Sequence, residues 1–549
     1  MPFMYESLIP QPTSVEAHPG GPFTLDGDTR IVATEAAAEA GWLLHDYLRA
    51  GTGLTVPVTD RADGGAITLE LSGDRPADGT TAAEAYRLDV DADGVRLSAA
   101  HPAGLSRAVQ TLRQLLPAET LRSAPVGTTP VTLAAVSIQD EPRFAWRGVM
   151  LDVARHFQPK EFVLRMIDLA ALHRLNVVQL HLTDDQGWRL EVPGRPKLTE
   201  IGSWRPETVI GHALDDTKGY DGTPHGGYYT AADLREIVAY AARRHITVVP
   251  EIDLPGHVRS VLAGYPELGN TGEPTTVATT FGIFSEVLAP TEAALDFARE
   301  VFDTVVDIFP SPYIHIGGDE CPRTEWRDSP AARDKAKELG LSSVDLLQSW
   351  FTKNFAEHLA GHGRQIIGWD EILDGGAPDD AVIAVWRDFS IAAKAAAKGH
   401  KVIVAPVQAT YLDYYESTDA EEPLRIFKNI SVDTIAEFEP VPEGTSDELI
   451  FGVQAQLWSE YLPVPSAVEY AAFPRLSAIA DVAWSTPEAR TASPVTGRLE
   501  EHLKRLDALG VNYRPPSGPR PWQKGGTGAR ARWDLDDTSR DETPDLPEF

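Results

Sequence analysis

The sequence predicts an α/β protein: a (β/α)8 barrel preceded by a smaller α/β accessory domain with an antiparallel sheet. Three observations predict it. From about residue 144, short apolar runs alternate with segments of helical period, the pattern of a parallel sheet with crossover helices. Upstream, Ala66–Leu71 and Tyr86–Val90 alternate apolar and polar side chains, as half-buried strands do. Finally, acidic and aromatic residues gather where the downstream runs end, which is where a parallel barrel carries its functional groups.

Length and charge set the bounds. At 549 residues the chain is long enough for two or three domains, and with 42% hydrophobic and 24% charged residues it can bury a large core. A formal net charge of −32 argues against nucleic acid or an anionic membrane as a partner and leaves a neutral small molecule open. The one cysteine, Cys321, excludes an internal disulfide framework and a cysteine zinc site; it reads as a small buried residue, and neither metal nor cofactor is expected. Met1–Ser7 carries no basic segment followed by an apolar run, and no stretch approaches the roughly 20 apolar residues of a membrane span. A cytoplasmic protein is expected, secreted only if a leader has been removed.

In order, residues 1–140 form the accessory domain. The Asp93-Gly94 pair predicts a hairpin joining Tyr86–Val90 to Val95–Ser98, and helices are expected over Ala36–Leu48 and Gly104–Leu116, with a loop over Gly73–Thr80. Residues 141–490 form the barrel. Its strands are predicted near Gly148–Asp152, Asn176–Leu182, Ile246–Ile252, Tyr313–Gly317, Gln365–Trp369, Val382–Trp386, Lys401–Ala405 and Ile450–Gln456. Helices are predicted over Lys160–Arg174, Thr230–Arg244, Leu295–Ile308 and Val344–Leu359, with Thr230 as an N-cap and Asp233 in the first turn. The Gly/Pro-rich loop Pro193–Tyr229 is expected near the barrel mouth. Residues 491–549 supply a helix over Gly497–Leu509, packed on the barrel, and from Arg514 a wrapped or disordered tail.

The chemistry concentrates at Tyr313-Ile-His-Ile-Gly-Gly-Asp-Glu320. Two glycines end a short strand and let a ligand approach closely, and Asp319 and Glu320 then project from the strand end. Taken alone, the motif also reads as a solvated acidic turn, or as the signature of cyclic-dinucleotide synthesis with Cys321 in place of its phenylalanine. The other strand ends add Arg155-His156, Thr183 to Trp188, Glu251 to His257, Trp369-Asp370-Glu371, Tyr411-Leu412-Asp413 and Gln456 to Glu460. Singly, Arg155 could be a surface ion-pair partner, His257 a core histidine, and Trp369 and Trp458 barrel packing. Together they put acids, an arginine and indoles on one rim, which is what a sugar pocket requires.

These residues also carry a resemblance. Arg147-Gly-Val-Met-Leu-Asp-Val-Ala-Arg155-His-Phe, His181-Leu-Thr-Asp-Asp-Gln-Gly-Trp188, Pro250-Glu-Ile-Asp-Leu-Pro-Gly-His257, His315-Ile-Gly-Gly-Asp-Glu320, Gly368-Trp-Asp-Glu371 and Gln454-Ala-Gln-Leu-Trp458 resemble, in order, family 20 glycoside hydrolases, the β-N-acetylhexosaminidases. Leu8-Ile-Pro-Gln-Pro12 and the Gly104–Leu115 segment resemble that family's accessory domain. The resemblance implies Glu320 as general acid/base, Asp319 as the group orienting the substrate's acetamido substituent, and Tyr411 as the donor to its carbonyl. It implies hydroxyl contacts from Arg155, Asp413 and Glu460, walls from Trp350, Trp369 and Trp458, and Asp184 with His257 behind Glu320. The implied reaction is exo-acting and retaining, with the substrate's own acetamido oxygen as nucleophile, on terminal N-acetylglucosamine and N-acetylgalactosamine. Between Glu421 and Gly444 no tryptophan aligns for a second sugar. A sugar-binding barrel without catalysis is the alternative, and the intact Asp319, Glu320 and Tyr411 weigh against it; no phosphate-cradling loop supports a cyclase.

Overall fold

The computed structural model describes residues 4–61, 65–127, 130–214 and 219–526. The first three residues, part of the 193–229 loop and the 527–549 end of the tail lie outside the described residues. Eight parallel strands close a barrel in chain order. They are Trp146–Asp152, Val177–His181, Thr247–Glu251, Tyr313–His315, Gln365–Trp369, Val382–Val385, Val402–Val404 and Ile450–Leu457, the last pairing back onto the first. Each falls on its predicted run. The first two strands are buried along their whole length, because helices cover the outside and side chains fill the inside, so they read as apolar runs rather than alternations.

The helices Lys160–Leu172, Ala231–Ala242, Glu292–Ile308 and Leu347–Gly361 stand where the 3.6-residue period places them. Thr230 caps the second: its Oγ1 accepts from Asp233 N at 3.1 Å, and Asp233 Oδ2 accepts in return from Thr230 N at 3.1 Å. Among the described residues no helix is long and apolar enough to cross a membrane.

The N-terminal region forms a seven-stranded sheet. It is antiparallel where Ser14–Ala17, Val136–Asp140, Tyr86–Asp91 and Gly94–Ala99 pair, and parallel through Ala66–Leu71, Arg30–Ala33 and Val58–Thr59. In the parallel half Ala66–Leu71 alternates as expected, while its neighbours Arg30–Ala33 and Val58–Thr59 are too short to alternate visibly in sequence. The expected hairpin forms, with Ala92-Asp93 as its loop and Asp91 facing Gly94. Its two main helices are Ala38–Thr52 and Pro102–Leu115, and the second is buried from Ala103 to Leu115 because sheet and barrel sandwich it.

Charged groups fasten the two regions. Glu84, buried, accepts from Arg107 of the accessory helix and from Arg147 of the first barrel strand, while its other oxygen accepts from Asn176 Nδ2 at 2.8 Å. The C-terminal helix, Val495–Ala508, lies in this seam rather than on the barrel alone. Its Arg498 donates to Leu8 O at 2.6 Å and its Arg505 to Ser7 O at 2.9 Å. The described part of the tail wraps back, with Arg514 Nε donating to Glu422 Oε1 at 2.6 Å.

The seam makes stability depend on acid. Burial by itself would raise the Glu84 pKa, but Arg107 and Arg147 bring it down to about 2 from an ordinary 4.5. A depressed carboxylate pKa stabilises above 4.5, and that contribution is lost as pH falls from 4.5 toward 2. Glu84→Ala leaves two buried guanidinium groups uncompensated and should cost about 3–5 kcal/mol. Thermal unfolding followed by circular dichroism checks both: the variant should melt earlier at neutral pH, and the gap from the parent should shrink in acid.

Candidate active site

Gly317 and Gly318 follow the fourth strand at φ of 65° and 92°, in the left-handed region. A Cβ on Gly317 would lie 1.9 Å from Asp253 Oδ1, so only glycine fits there. Gly318 N donates to the same Asp253 oxygen at 2.9 Å, and Gly318 O accepts from Gln348. Pinned on both sides, the turn delivers Asp319 into the wall of the barrel mouth and Glu320 into its opening. Asp319 is buried, while the Glu320 side chain is 21% exposed. Glu320 itself sits at φ of 43°, a conformation uncommon outside glycine.

Behind Glu320 stands His257, also left-handed at φ of 49°, with Nε2 3.5 Å from Glu320 Oε2. Its Nδ1 is 3.0 Å from Asp185 Oδ2 and 3.4 Å from Asp184 Oδ1. Burial opposes a charge on His257, but Asp184 above all holds its pKa well above the imidazole range. Sequence reasoning pairs His257 with Asp184; the nearer carboxylate is Asp185, fixed in turn by Arg259 N at 3.0 Å. Asp184 is shared: its Oδ2 is 2.8 Å from Arg155 Nη2 and 3.1 Å from His181 Nε2. The signal for Asp185 was its adjacency to Asp184, which cannot say which acid turns toward His257.

Under these groups lies Glu251, which sequence reasoning left without a role. It accepts from Gln179 Nε2 at 2.7 Å and from Trp369 Nε1 at 2.8 Å, with His181 Nδ1 at 2.8 Å and His315 Nδ1 at 3.2 Å. Burial pushes its pKa up, yet His181 and His315 pull it well below the carboxylate range, so Glu251 stays ionised against a His181 whose own pKa is raised.

Trp369 and Trp458 meet at 5.8 Å and 44°, and the Arg155 guanidinium lies 4.8 Å over the Trp458 ring. Tyr411 closes this wall, 6.4 Å from Trp458 and nearly parallel to Trp386 at 6.2 Å. Trp386, read from the sequence as the end of the sixth strand, is an unforeseen part of the wall, held by Glu371 Oε2 at 3.0 Å. Trp350 lies on the Leu347–Gly361 helix, where its ring packs edge-on against Phe351 and beneath the Lys335 ammonium, and its helix neighbour Gln348 holds Gly318. The long loop does reach the mouth, where Arg205 Nη1 donates to Arg155 O at 2.6 Å.

Two further acids line the pocket. Burial, reinforced by Glu460, lifts Asp413 well above the carboxylate range; burial lifts Glu460 to about 7 against the pull of Arg155. Asp413 Oδ1 and Oδ2, Glu460 Oε2 and Asp319 Oδ1 are buried without a protein hydrogen-bond partner. Buried polar atoms are seldom left so, and acceptors aimed into a pocket with indole walls fit the hydroxyl and amide hydrogens of a neutral sugar. Asp319 is raised too, by burial first, although His257 opposes the shift.

Known proteins resemble this chain in sequence and fold. The description "Glycosyl hydrolase family 20, catalytic domain" matches residues 144–487, and the same family's domain 2 matches residues 5–141. A β-hexosaminidase of Porphyromonas gingivalis is 35% identical over 529 residues, 95% of this chain, which spans 65% of that protein's length. A β-N-acetylhexosaminidase of Cellulomonas fimi is 35% identical over 519 residues, 92% of this chain and 95% of that one. An exo-β-N-acetylglucosaminidase of Vibrio harveyi, solved in complex with N-acetylglucosamine, superposes with a TM-score of 0.81 at 32% identity, over 93% of this chain and 79% of that one. Both parts of one family, matched in that family's order across nearly all of the described fold, leave a single assignment: the chain belongs to glycosyl hydrolase family 20.

Proposed function

We propose that this chain is an exo-acting, retaining β-N-acetylhexosaminidase that removes terminal non-reducing N-acetylglucosamine, and also N-acetylgalactosamine, from oligosaccharides. Its being a glycoside hydrolase of the β-N-acetylhexosaminidase kind rests on its family and on relatives of that name. The observation that carries the finer reading is the pairing of a partly exposed Glu320 with a buried Asp319 on one strand end. Retaining enzymes with a protein nucleophile set two carboxyl groups about 5–5.5 Å apart across the scissile bond. Neighbouring residues on one strand end cannot straddle an anomeric carbon in that way. The substrate's acetamido oxygen then takes the nucleophile's part.

In this reading Glu320 protonates the departing oxygen and later deprotonates water. His257, charged and backed by Asp184 and Asp185, steers the Glu320 carboxyl. Asp319 holds the acetamido N–H and Tyr411 its carbonyl oxygen, so that the oxygen meets the anomeric carbon in a near-attack geometry. Negative charge on Asp319 then favours the cationic ring that forms. Trp369 and Trp458, with Trp350, wall the N-acetyl group and the sugar face. Arg155, Asp413 and Glu460 bind the remaining hydroxyls and end the pocket beyond the terminal ring, which makes the action exo. The unpaired oxygens of Asp413 and Glu460 can accept from a 4-hydroxyl in either epimer. The domain limits that accompany this reading are 1–140, 141–490 and 491–549.

Glu320→Gln keeps the shape and loses the proton, and should lower kcat/KM on a chromogenic N-acetylglucosaminide about 10²–10⁴-fold, less for aglycones that leave well. An equal loss across leaving groups would remove Glu320 from the acid role. Asp319→Asn and Tyr411→Phe should lower kcat more than they raise KM. A 2-deoxy-2-fluoro glycoside should leave no sugar on the protein by mass spectrometry; a labelled carboxylate would mean an enzymic nucleophile. Early products from a chitin oligomer should be single sugars, and internal cleavage would end the exo reading.

A further inference from the structure

Away from the sugar pocket, a second set of ligating side chains converges on the outside of the barrel. His358 lies in the last turn of the Leu347–Gly361 helix, and His362 is its C-cap residue. Four residues apart, they share one face of that helix, with ring centroids 5.1 Å apart. Asp303, on the neighbouring Glu292–Ile308 helix, faces both: its Oδ1 is 2.8 Å from His358 Nε2 and 3.1 Å from His362 Nε2.

We propose that Asp303, His358 and His362 form a zinc site. Two imidazole nitrogens and one carboxylate oxygen, all within 4.8 Å of one another, make a three-ligand set. Imidazole donors select zinc and its transition-metal neighbours over calcium or magnesium. Bonds of about 2.0–2.1 Å in a tetrahedron put ligand atoms roughly 3.3 Å apart, so Asp303 Oδ1, at 2.8 and 3.1 Å, has to part from each histidine by only a few tenths of an ångström. The set is reachable from solvent, with side-chain exposures of 56, 20 and 40% for Asp303, His358 and His362, so water can complete the coordination. Two fields favour a cation there. The histidines stand at the negative end of a helix dipole, and the chain carries a formal net charge of −32.

The site lies between two helices, away from the sugar pocket. Its two helices run into the strands Tyr313–His315 and Gln365–Trp369, entering at the barrel end opposite the catalytic rim. Zinc staples the helices of the two units that deliver Asp319, Glu320 and Trp369, without touching the pocket.

The test is isothermal titration of the untagged full chain with zinc chloride at about pH 7.5, where an ordinary imidazole is neutral. About one zinc should bind per chain in the micromolar range. His362→Ala and Asp303→Asn should each weaken this binding at least about ten-fold, and His358→Cys, which keeps a ligand, should retain it. Hydrolysis of a chromogenic N-acetylglucosaminide should be unchanged in all three variants, which also shows that they fold. Cobalt substitution should give the visible absorption of a low-coordinate site in the parent alone, compared with His362→Ala. No saturable zinc binding, or binding equal in parent, His362→Ala and Asp303→Asn, overturns the proposal.

Discussion

The active face depends on how buried charges in the barrel mouth neutralise one another. Arg155 follows the first strand, His181 ends the second, Glu251 ends the third, His315 ends the fourth and Trp369 the fifth. Asp184 and Glu251 link these five strand ends through contacts of 2.7–3.2 Å. A charge left alone in such a place would be costly, so the members of the set have to arrive together. The same contacts that close the barrel mouth therefore aim the sugar-binding groups. Pocket geometry and fold stability are one constraint here, and the indole of Trp369 illustrates it: its ring walls the pocket while its N–H satisfies Glu251.

Backbone strain falls on the same residues. Glu320 and His257 both adopt left-handed conformations that side chains resist, and they face each other across 3.5 Å. The surrounding contacts hold them: Gly317 admits Asp253, Asp253 fastens Gly318, and Gln348 grips the far side of the turn. Asp253 and Gln348, behind the turn, thus set the direction in which Glu320 opens into the pocket.

The sequence made the barrel legible because its strands are buried on both faces and stand out as apolar runs, each ending in polar residues. The motif at Gly317–Glu320 was legible only in company: alone it also reads as a solvated acidic turn, and the acids and indoles at the other strand ends give it its meaning. Other features were set by tertiary placement. Asp184 and Asp185 are chemically alike and adjacent, and only the fold decides that Asp185 lies nearer His257 while Asp184 turns to Arg155. Trp386 follows a strand end and Trp350 sits near a helix start, and only the fold decides that one stacks on Tyr411 while the other meets Phe351 edge-on. The parallel half of the N-terminal sheet was hidden because the alternation of Ala66–Leu71 does not say which way its partners run, and Val58–Thr59 is too short to show a period.

The seam between the two regions has a consequence for the order in which the chain can be finished. Leu8 O and Ser7 O are held by Arg498 and Arg505, partners 490 and 498 residues away in sequence. During synthesis the Ser7–Leu8 carbonyls must therefore wait for these partners until the Val495–Ala508 helix has left the ribosome. The eight-stranded barrel can close before that moment, but the whole molecule cannot. A chain that stops short of Val495 leaves that flank of the barrel unsealed, because the guanidinium groups that hold Leu8 O and Ser7 O are then missing.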